Sequence, residues 1–381
     1  MSRKVPNKYL DPEGRPTRAE VNLKILEDNF DEIKKKVTPS KVMVVLKANA
    51  YGHGLEEVAN FMSEKADYLG VAVLEEGIFL REMGISTPIL VMGGVLSSQI
   101  PKYITNELTI TASSVERLEQ ISQSAQSMGK KAIVHLKIDT GMERIGVHYY
   151  NAETLLNAAL RCEKFIEVEG IYSHLANSDA HDLNHAYLQL ERFMDVLAFY
   201  EKHSLPTPIR HIANSGAVLQ MPESYLDLVR PGILFYGVYP CRECKHNISV
   251  FPALSIKSQV VYFKVVKPGH PVSYGSTWVS DHMTRVVTVP VGYGDGYFRS
   301  MSNKAKVIIN GKKYSQVGNI CMDQIMVNIE WGTAYNGDEV ILLGERDGQK
   351  ISVEDLAEWA GTIPYEILTN INTRVPRVYL E

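Results

Sequence analysis

From about Lys41 to Gly237 the chain alternates short, nearly unbroken apolar runs with segments whose apolar residues recur every three or four positions. The runs Val42–Leu46, Leu69–Val73, Ile89–Met92, Leu108–Thr111, Ile133–Ile138, Val168–Tyr172, Ile209–Ile212 and Leu226–Leu234 read as buried parallel strands. Helical periodicity precedes or separates them at Val21–Val37, Leu55–Glu64, Ser113–Met128, Ala152–Cys162 and Asn184–Lys202. Eight strands in βαβα order over roughly 200–240 residues is the size of a (β/α)8 TIM-type barrel. A doubly wound open sheet is the alternative, because sequence does not display closure.

Beyond about Val250 the rhythm changes. Ser255–Val266, Val286–Pro290, Ala305–Ile309, Ile325–Ile329 and Glu339–Leu343 read as strands, with Asn310-Gly311 and Asn336-Gly337 as hairpin signals and a helix near Val353–Trp359. The expected fold class is therefore α/β plus β. The expected domains are a barrel over 12–248 and a mostly-β domain over 249–381, joined by about the first 11 residues.

Composition narrows the function classes. Hydrophobic residues make up 45% and charged residues 22% of 381, which is a globular balance. The net charge of −4 gives no basic footprint for nucleic acid. The start of the chain has no apolar signal core and no segment reads as a membrane span, so a cytoplasmic protein without a membrane partner is expected. Cys241 and Cys244, with His246 nearby, could form half a zinc site, but there is no second cysteine pair and no metal is expected.

Barrel chemistry belongs where strands end, and the unusual polar residues cluster there. Lys47 and Tyr51 follow the first run; Lys137, Asp139 and Arg144 end or follow the fifth; His174 follows the sixth. His211, Asn214 and Ser215 end the seventh, and Arg230-Pro-Gly232 interrupts the eighth. Singly, each has an ordinary explanation: a structural histidine, an Asn-Ser helix cap, an arginine on a surface carboxylate. Five such strand ends on one rim are harder to dismiss. A lysine amine in a partly desolvated strand end becomes nucleophilic. A small-residue anion cup and an arginine on the same rim point to pyridoxal phosphate, an electron-sink cofactor.

Eight motifs carry a resemblance. They are Val45-Leu-Lys47-Ala-Asn-Ala-Tyr51-Gly-His-Gly54, Lys137-Ile-Asp-Thr-Gly-Met-Glu-Arg144-Ile-Gly146, Tyr172-Ser-His174, Asn214-Ser215, Val229-Arg230-Pro-Gly232, Ser273-Tyr274-Gly275, Gly292-Tyr293-Gly-Asp295-Gly296 and Cys321-Met322-Asp323-Gln324. In this order they resemble the bacterial alanine racemases over nearly the whole chain. The resemblance implies a homodimer with shared active sites in which Lys47 carries pyridoxal phosphate. Tyr51, Ser215, Gly232, Ile233 and Tyr365 would hold its phosphate, with Asn214 and His174 also on the cofactor, Arg230 at the pyridine nitrogen and His211 behind it.

By the same resemblance Tyr274, from the partner subunit, is the second base. Arg144 and the backbone at Met322 would meet the substrate carboxylate, Asp323 is a supporting residue, and Lys137 can be carbamylated. Asp179, Tyr293 and Arg299 would line an entrance corridor with Tyr365. Racemisation requires a proton removed from one face of a carbon and another returned on the opposite face, which suits a lysine and a tyrosine as paired acid and base.

This sequence departs from the family pattern at Asn319, usually arginine, and at Gly294, usually alanine. The first departure bears on the charge of the corridor. The expected activity is interconversion of L- and D-alanine, supplying D-alanine for peptidoglycan. The alternatives are a serine or broad-specificity racemase, a non-catalytic cofactor-binding barrel and a decarboxylase, the last disfavoured by Arg230.

Overall fold

The computed structural model describes residues 14–381. Two compact units result: Leu26–Ala50 with Leu55–Phe251, and the described residues up to Ile25 with Tyr51–Gly54 and Pro252–Glu381. The chain thus changes unit at Ile25 and Leu26 and again at Phe251 and Pro252, whereas the sequence pattern suggested 12 and 249. The expected contribution of the first 11 residues lies outside the described ones.

The second unit begins with strand β1 (Arg18–Asn22). The periodicity had suggested a helix from Val21. Instead Ala19 and Val21 point inward from β1 in strand alternation, and Asn22 Oδ1 accepts the Ile25 N–H at 2.9 Å, so the helix Leu23–Val37 starts after it.

The barrel unit is built from β2 (Lys41–Val45), β3 (Tyr68–Val71), β4 (Ile89–Val91), β5 (Thr109–Ala112), β6 (Ala132–Asp139), the short β7 (Val147–His148), β8 (Ile166–Tyr172), β9 (Ile209–His211) and β10 (Leu228–Val229). All pair in parallel in the order β10-β2-β3-β4-β5-β6-β8-β9, with β7 on β6. The two ends of this order meet. Asp227 N–H donates to the Arg210 carbonyl at 3.1 Å and Arg230 N–H to the Ala213 carbonyl at 3.0 Å. The result is a near-closed eight-stranded barrel with its helices, not an open sheet.

The expected strand Leu226–Leu234 shrinks to β10 because Pro231 has no N–H to donate. The chain beyond it turns into the short helix Gly232–Phe235.

A two-pronged pair locks the seam. Arg210 Nε and Nη2 reach the two carboxylate oxygens of Asp227 at 2.7 and 2.8 Å, and the Arg210 N–H adds a third contact at 2.8 Å. The hydrogen bond from Arg210 is the main cause that holds the Asp227 carboxyl below its usual range. A depressed carboxylate contributes stability that is full above the unfolded pKa of about 3.9 and is lost as pH falls through the folded value. Because the pair is more than a third exposed, Asp227→Asn should cost only about 1 kcal/mol, a Tm drop of about 2–4 °C at neutral pH that disappears in acid. Equal losses at neutral and acid pH would show that charge is not the cause.

The second unit continues through β11 (Leu254–Gln259), β12 (Tyr262–Val266), β13 (Pro271–Val272), β14 (Trp278–Val279), β15 (Thr284–Val289), β16 (Lys306–Ile309), β17 (Lys312–Gln316), β18 (Ile325–Glu330), β19 (Glu339–Arg346), β20 (Gln349–Ile351) and β21 (Arg377–Leu380). The main sheet runs β12-β15-β18-β17-β16-β19-β11-β1-β21, with β20 on β19 and a separate β13–β14 ribbon.

Asn310-Gly311 is a two-residue hairpin with φ of 48° and 72°, joining Ile309 to Lys312. Asn336-Gly337 is not a hairpin, since β18 and β19 do not pair; Gly337 donates to the Val260 carbonyl at 2.8 Å instead. The segment Tyr51–Gly54 is fastened to this unit. Arg377 Nε donates to the Gly52 carbonyl at 3.1 Å and Tyr379 Oη to the His53 carbonyl at 3.2 Å. A Cβ on Gly54 would fall 1.8 Å from Tyr379 Oη, so only glycine fits.

Candidate active site

Lys47 stands where β2 ends, and the backbone then makes a left-handed turn. Ala48, Asn49, Ala50 and Tyr51 have φ of 55°, 56°, 52° and 52°. Left-handed geometry costs about 1–2 kcal/mol per residue and persists only where the surroundings impose it. Here Glu76 accepts the Ala48 N–H at 2.7 Å and the Ala72 N–H at 2.9 Å, while Asn49 Oδ1 accepts the Leu55 N–H at 2.8 Å. Burial, then the charges of Arg144 and Arg230, push the Lys47 amine below the ordinary lysine range, and Glu76 opposes them. The result is an amine that gives up its proton readily.

Around it the barrel gathers cations. Asp139 shapes the turn from Lys137 to Arg144 by accepting the N–H groups of Gly141, Met142, Glu143 and Arg144 at 2.8–3.2 Å. These bonds outweigh the burial that would raise its carboxyl. Lys137 is buried, donates to the Ile138 carbonyl at 3.0 Å and lies over the Tyr172 ring at 5.1 Å. Burial, followed by the charge of Arg230, brings its pKa to about 7. His174 is half-buried; desolvation, then the charges of Arg230, Lys137, Arg144 and Lys47, holds it well below the usual histidine range.

Arg230 is buried and meets neutral acceptors: His211 Nδ1 at 2.7 Å, the Ser173 carbonyl at 2.8 Å, His174 Nδ1 at 3.3 Å and the Ile212 carbonyl at 3.3 Å. Burial brings its pKa to about 10, so it stays cationic at neutral pH. No carboxylate pairs with it among the described residues. A buried cation without a paired anion is costly, and the site is thus prepared for an acceptor or anion from outside.

Close by, Asn214 caps the helix Ser215–Gln220 through the Ala217 N–H at 3.2 Å, and Ser215 Oγ accepts the Leu234 N–H at 3.3 Å. The first N–H groups of the helix Gly232–Phe235, those of Gly232 and Ile233, have no partner within it. A Cβ on Gly216 would fall 2.6 Å from the Ser178 carbonyl, which brings the neighbouring Asp179 against this turn.

The second unit assembles the remaining candidates in two places. Tyr51 and Tyr365 have ring centroids 6.2 Å apart. Elsewhere, Tyr293 N–H donates to the Cys321 carbonyl at 3.0 Å and Gly294 N–H to the Met322 carbonyl at 2.9 Å, binding the two loops edge to edge. Arg374 clamps them, reaching Asp295 at 2.5 Å and Asp323 at 2.6 Å. Arg299 is exposed at the start of a short 3-10 turn.

Tyr274 is 74% exposed, flanked by Ser273 and Ser276 at φ of 69° and 50°. Asn319 Nδ2 donates to the Tyr274 carbonyl at 2.7 Å, and Ser273 Oγ donates to the Asn319 carbonyl at 2.5 Å. Asn319, expected to bear on the corridor's charge and the substrate range but not on the core chemistry, is thus bonded to the Tyr274 backbone. Arg374 and His135 were not singled out from the sequence. His135 lies two positions before Lys137 in β6, and the period-2 alternation would have marked it as sharing that face.

Residues 21–240 match the family described as alanine racemase, N-terminal domain, and residues 253–379 match alanine racemase, C-terminal domain. The chain is 44% identical over 369 residues to the alanine racemase of Carboxydothermus hydrogenoformans, covering 96% of this chain and 100% of that protein. The alanine racemase structure from the D-cycloserine-producing Streptomyces lavendulae superposes with a TM-score of 0.92 at 35% identity, covering 96% of this chain and 97% of that one. The Clostridium difficile alanine racemase in complex with cycloserine matches at a TM-score of 0.88 and 38% identity, with 96% of both chains covered.

Proposed function

This chain belongs to the alanine racemase family, and from that membership we propose that it interconverts L- and D-alanine with bound pyridoxal phosphate. The observation that carries the reading is the depressed Lys47 amine, on a left-handed turn beside a buried arginine with no paired carboxylate among the described residues. The donor set suits the cofactor. Lys47 would hold it covalently. Tyr51, Ser215, Gly232, Ile233 and Tyr365 would hold the phosphate, with Asn214 also on the cofactor, His174 on the ring and Arg230 at the pyridine nitrogen. When bound, the cofactor supplies an electron sink for charge developing at the substrate Cα.

Lys47 takes the proton from Cα on one face and Tyr274, contributed by a partner copy, returns one to Cα on the other; the reverse direction exchanges the roles. Arg144 and the Met322 backbone orient the substrate carboxylate, with Asp323 supporting that loop. Arg230, which can only donate, would leave the ring nitrogen of a bound cofactor without a proton and so disfavour transamination. Asp179, Tyr293 and Arg299 belong to the approach corridor.

A homodimer is supported by the exposure of Tyr274 and of Tyr262, Phe263 and Val265 on the edge strand β12. No described helix is long and apolar enough to cross a membrane. A cytoplasmic enzyme feeding D-alanine to peptidoglycan is the corresponding role.

Incubation with L-alanine in D2O tests the reading. Exchange of the α-proton with loss of optical rotation identifies a racemase. Carbon dioxide release would identify a decarboxylase, and neither change a non-catalytic cofactor carrier. The same assay with L-serine ranks the rival substrate.

Two smaller effects follow. Removing the amide that bonds the Tyr274 carbonyl, in Asn319→Ala, should cost about 1 kcal/mol of positioning, a roughly fivefold fall in kcat with little change in KM. An unchanged kcat would show that the serine-flanked turn holds Tyr274 unaided. Lys137, with its pKa near 7, has a neutral amine available for carbamylation by carbon dioxide. The resulting carboxylate would replace a cation beside Arg144 with an anion. Under 13C-labelled bicarbonate a carbamate resonance should grow as pH rises through neutrality and vanish in Lys137→Ala; its absence from the parent protein at alkaline pH would refute the modification.

A further inference from the structure

Behind Arg230 the barrel interior holds a file of hydrogen bonds that the chemistry above does not use. Arg230 Nη1 meets His211 Nδ1 at 2.7 Å, His211 Nε2 meets His135 Nδ1 at 2.8 Å, and His135 Nε2 meets Glu169 Oε2 at 3.0 Å. Tyr68 Oη donates to the other Glu169 oxygen at 3.0 Å. Both imidazoles are fully buried, while the Glu169 side chain is 23% exposed.

The two ends of the file dictate its direction. A guanidinium only donates, so His211 Nδ1 must be bare and its proton must reside on Nε2. That proton is given to His135 Nδ1, which must also be bare, leaving the His135 proton on Nε2. An ionised carboxylate only accepts, and Glu169 is placed to receive it. Burial holds both imidazoles below the usual histidine range, so they remain neutral.

The packing leaves the rings little freedom. His211 stacks on Tyr172 with centroids 4.7 Å apart and an interplanar angle of 3°. His135 lies so close to β8 that a Cβ on Gly170 would fall 2.6 Å from its ring.

We propose that Glu169 and His135 are positioning residues for Arg230: they fix the tautomer of His211, so that the guanidinium always meets a lone pair and keeps one orientation. The role of Arg230 toward the cofactor ring rests on the functional reading above; the tautomer assignment does not. Without the carboxylate, His135 is free to reverse, and His211 would then turn an N–H toward Arg230, setting donor against donor. A carboxylate that orients a histidine tautomer for a neighbouring group is the same physical device as in serine protease triads.

Histidine-selective 15N labelling of the cofactor-free chain reads the tautomers directly. His211 and His135 should each show a protonated Nε2 and a bare Nδ1. In Glu169→Gln the side-chain amide can donate as well as accept, so both tautomers should coexist. In the loaded enzyme kcat should fall about tenfold with KM for alanine near its original value. Tyr68→Phe leaves the carboxylate in place and should preserve the tautomers.

A His211 protonated at Nδ1 in the parent protein would overturn the proposal, a result that needs no variant to fold. So would a Glu169→Gln enzyme with a shifted tautomer and unchanged kcat. If the parent protein shows the assigned tautomers but no exchange at Cα, the functional reading fails and the assignment stands.

Discussion

Lys47→Ala should abolish racemisation, lowering kcat by at least about 10⁴-fold, because one side chain both anchors the cofactor and moves a proton. The fold should tolerate the change. The left-handed turn is held by Glu76 and Asn49 through backbone groups rather than by the lysine side chain, so the melting temperature should shift little. Added methylamine should restore part of the rate if the missing element is an amine at that place. Burial and two nearby arginines lower the Lys47 pKa, so the neutral, proton-accepting amine becomes available at lower pH than for an ordinary lysine. At saturating alanine, where substrate has displaced Lys47 from the cofactor, kcat should therefore rise with pH through a value below the ordinary lysine range. An alanine variant retaining more than a hundredth of the parent rate would remove Lys47 from the chemistry.

Strand ends were readable in the sequence because a buried parallel strand is an apolar run, and a polar residue that stops it is conspicuous. Lys47, Lys137, His211 and Arg230 all announced themselves in this way, and the structure gathers Arg144, Arg230, Lys137 and His174 around Lys47. His135 and Glu169 did not. Both lie inside their strands rather than at the ends, His135 before Lys137 in β6 and Glu169 beside Glu167 in β8, so neither stops an apolar run. Only pairing across β6, β8 and β9 aligns them with Arg230.

The same limit applies to the fold. The Asn310-Gly311 turn is local chemistry and was legible, whereas Asn336-Gly337 carries an equal local signal but connects strands that do not pair. The last two residues of β1, Val21 and Asn22, read as the start of the following helix because five residues hold too little alternation, although Asn22 caps that helix at Ile25. Arg374 gave no signal at all. Its partners Asp295 and Asp323 lie 79 and 51 residues away, and no local pattern encodes such a clamp.

Mixing two inactive variants should regenerate activity if Tyr274 serves the site of a partner copy. Tyr274→Phe keeps the ring and loses the hydroxyl, so that enzyme should be as nearly dead as Lys47→Ala for want of the second acid–base group. In a twofold dimer each site would combine Lys47 of one copy with Tyr274 of the other. A mixed dimer of the two variants then contains one site with both defects and one with neither. Random exchange places half of the chains in mixed dimers, so about a quarter of the parent activity should return on symmetry grounds alone. The exposure of Tyr274 at 74%, its carbonyl held by the Asn319 side-chain amide rather than its ring by burial, suits a group presented outward. The recovered rate should scale with the fraction of mixed dimers and should be absent when either variant is mixed with itself. If mixing leaves the activity at the level of the separate variants while exchange of subunits is demonstrated, the two groups belong to one chain and the shared site is excluded.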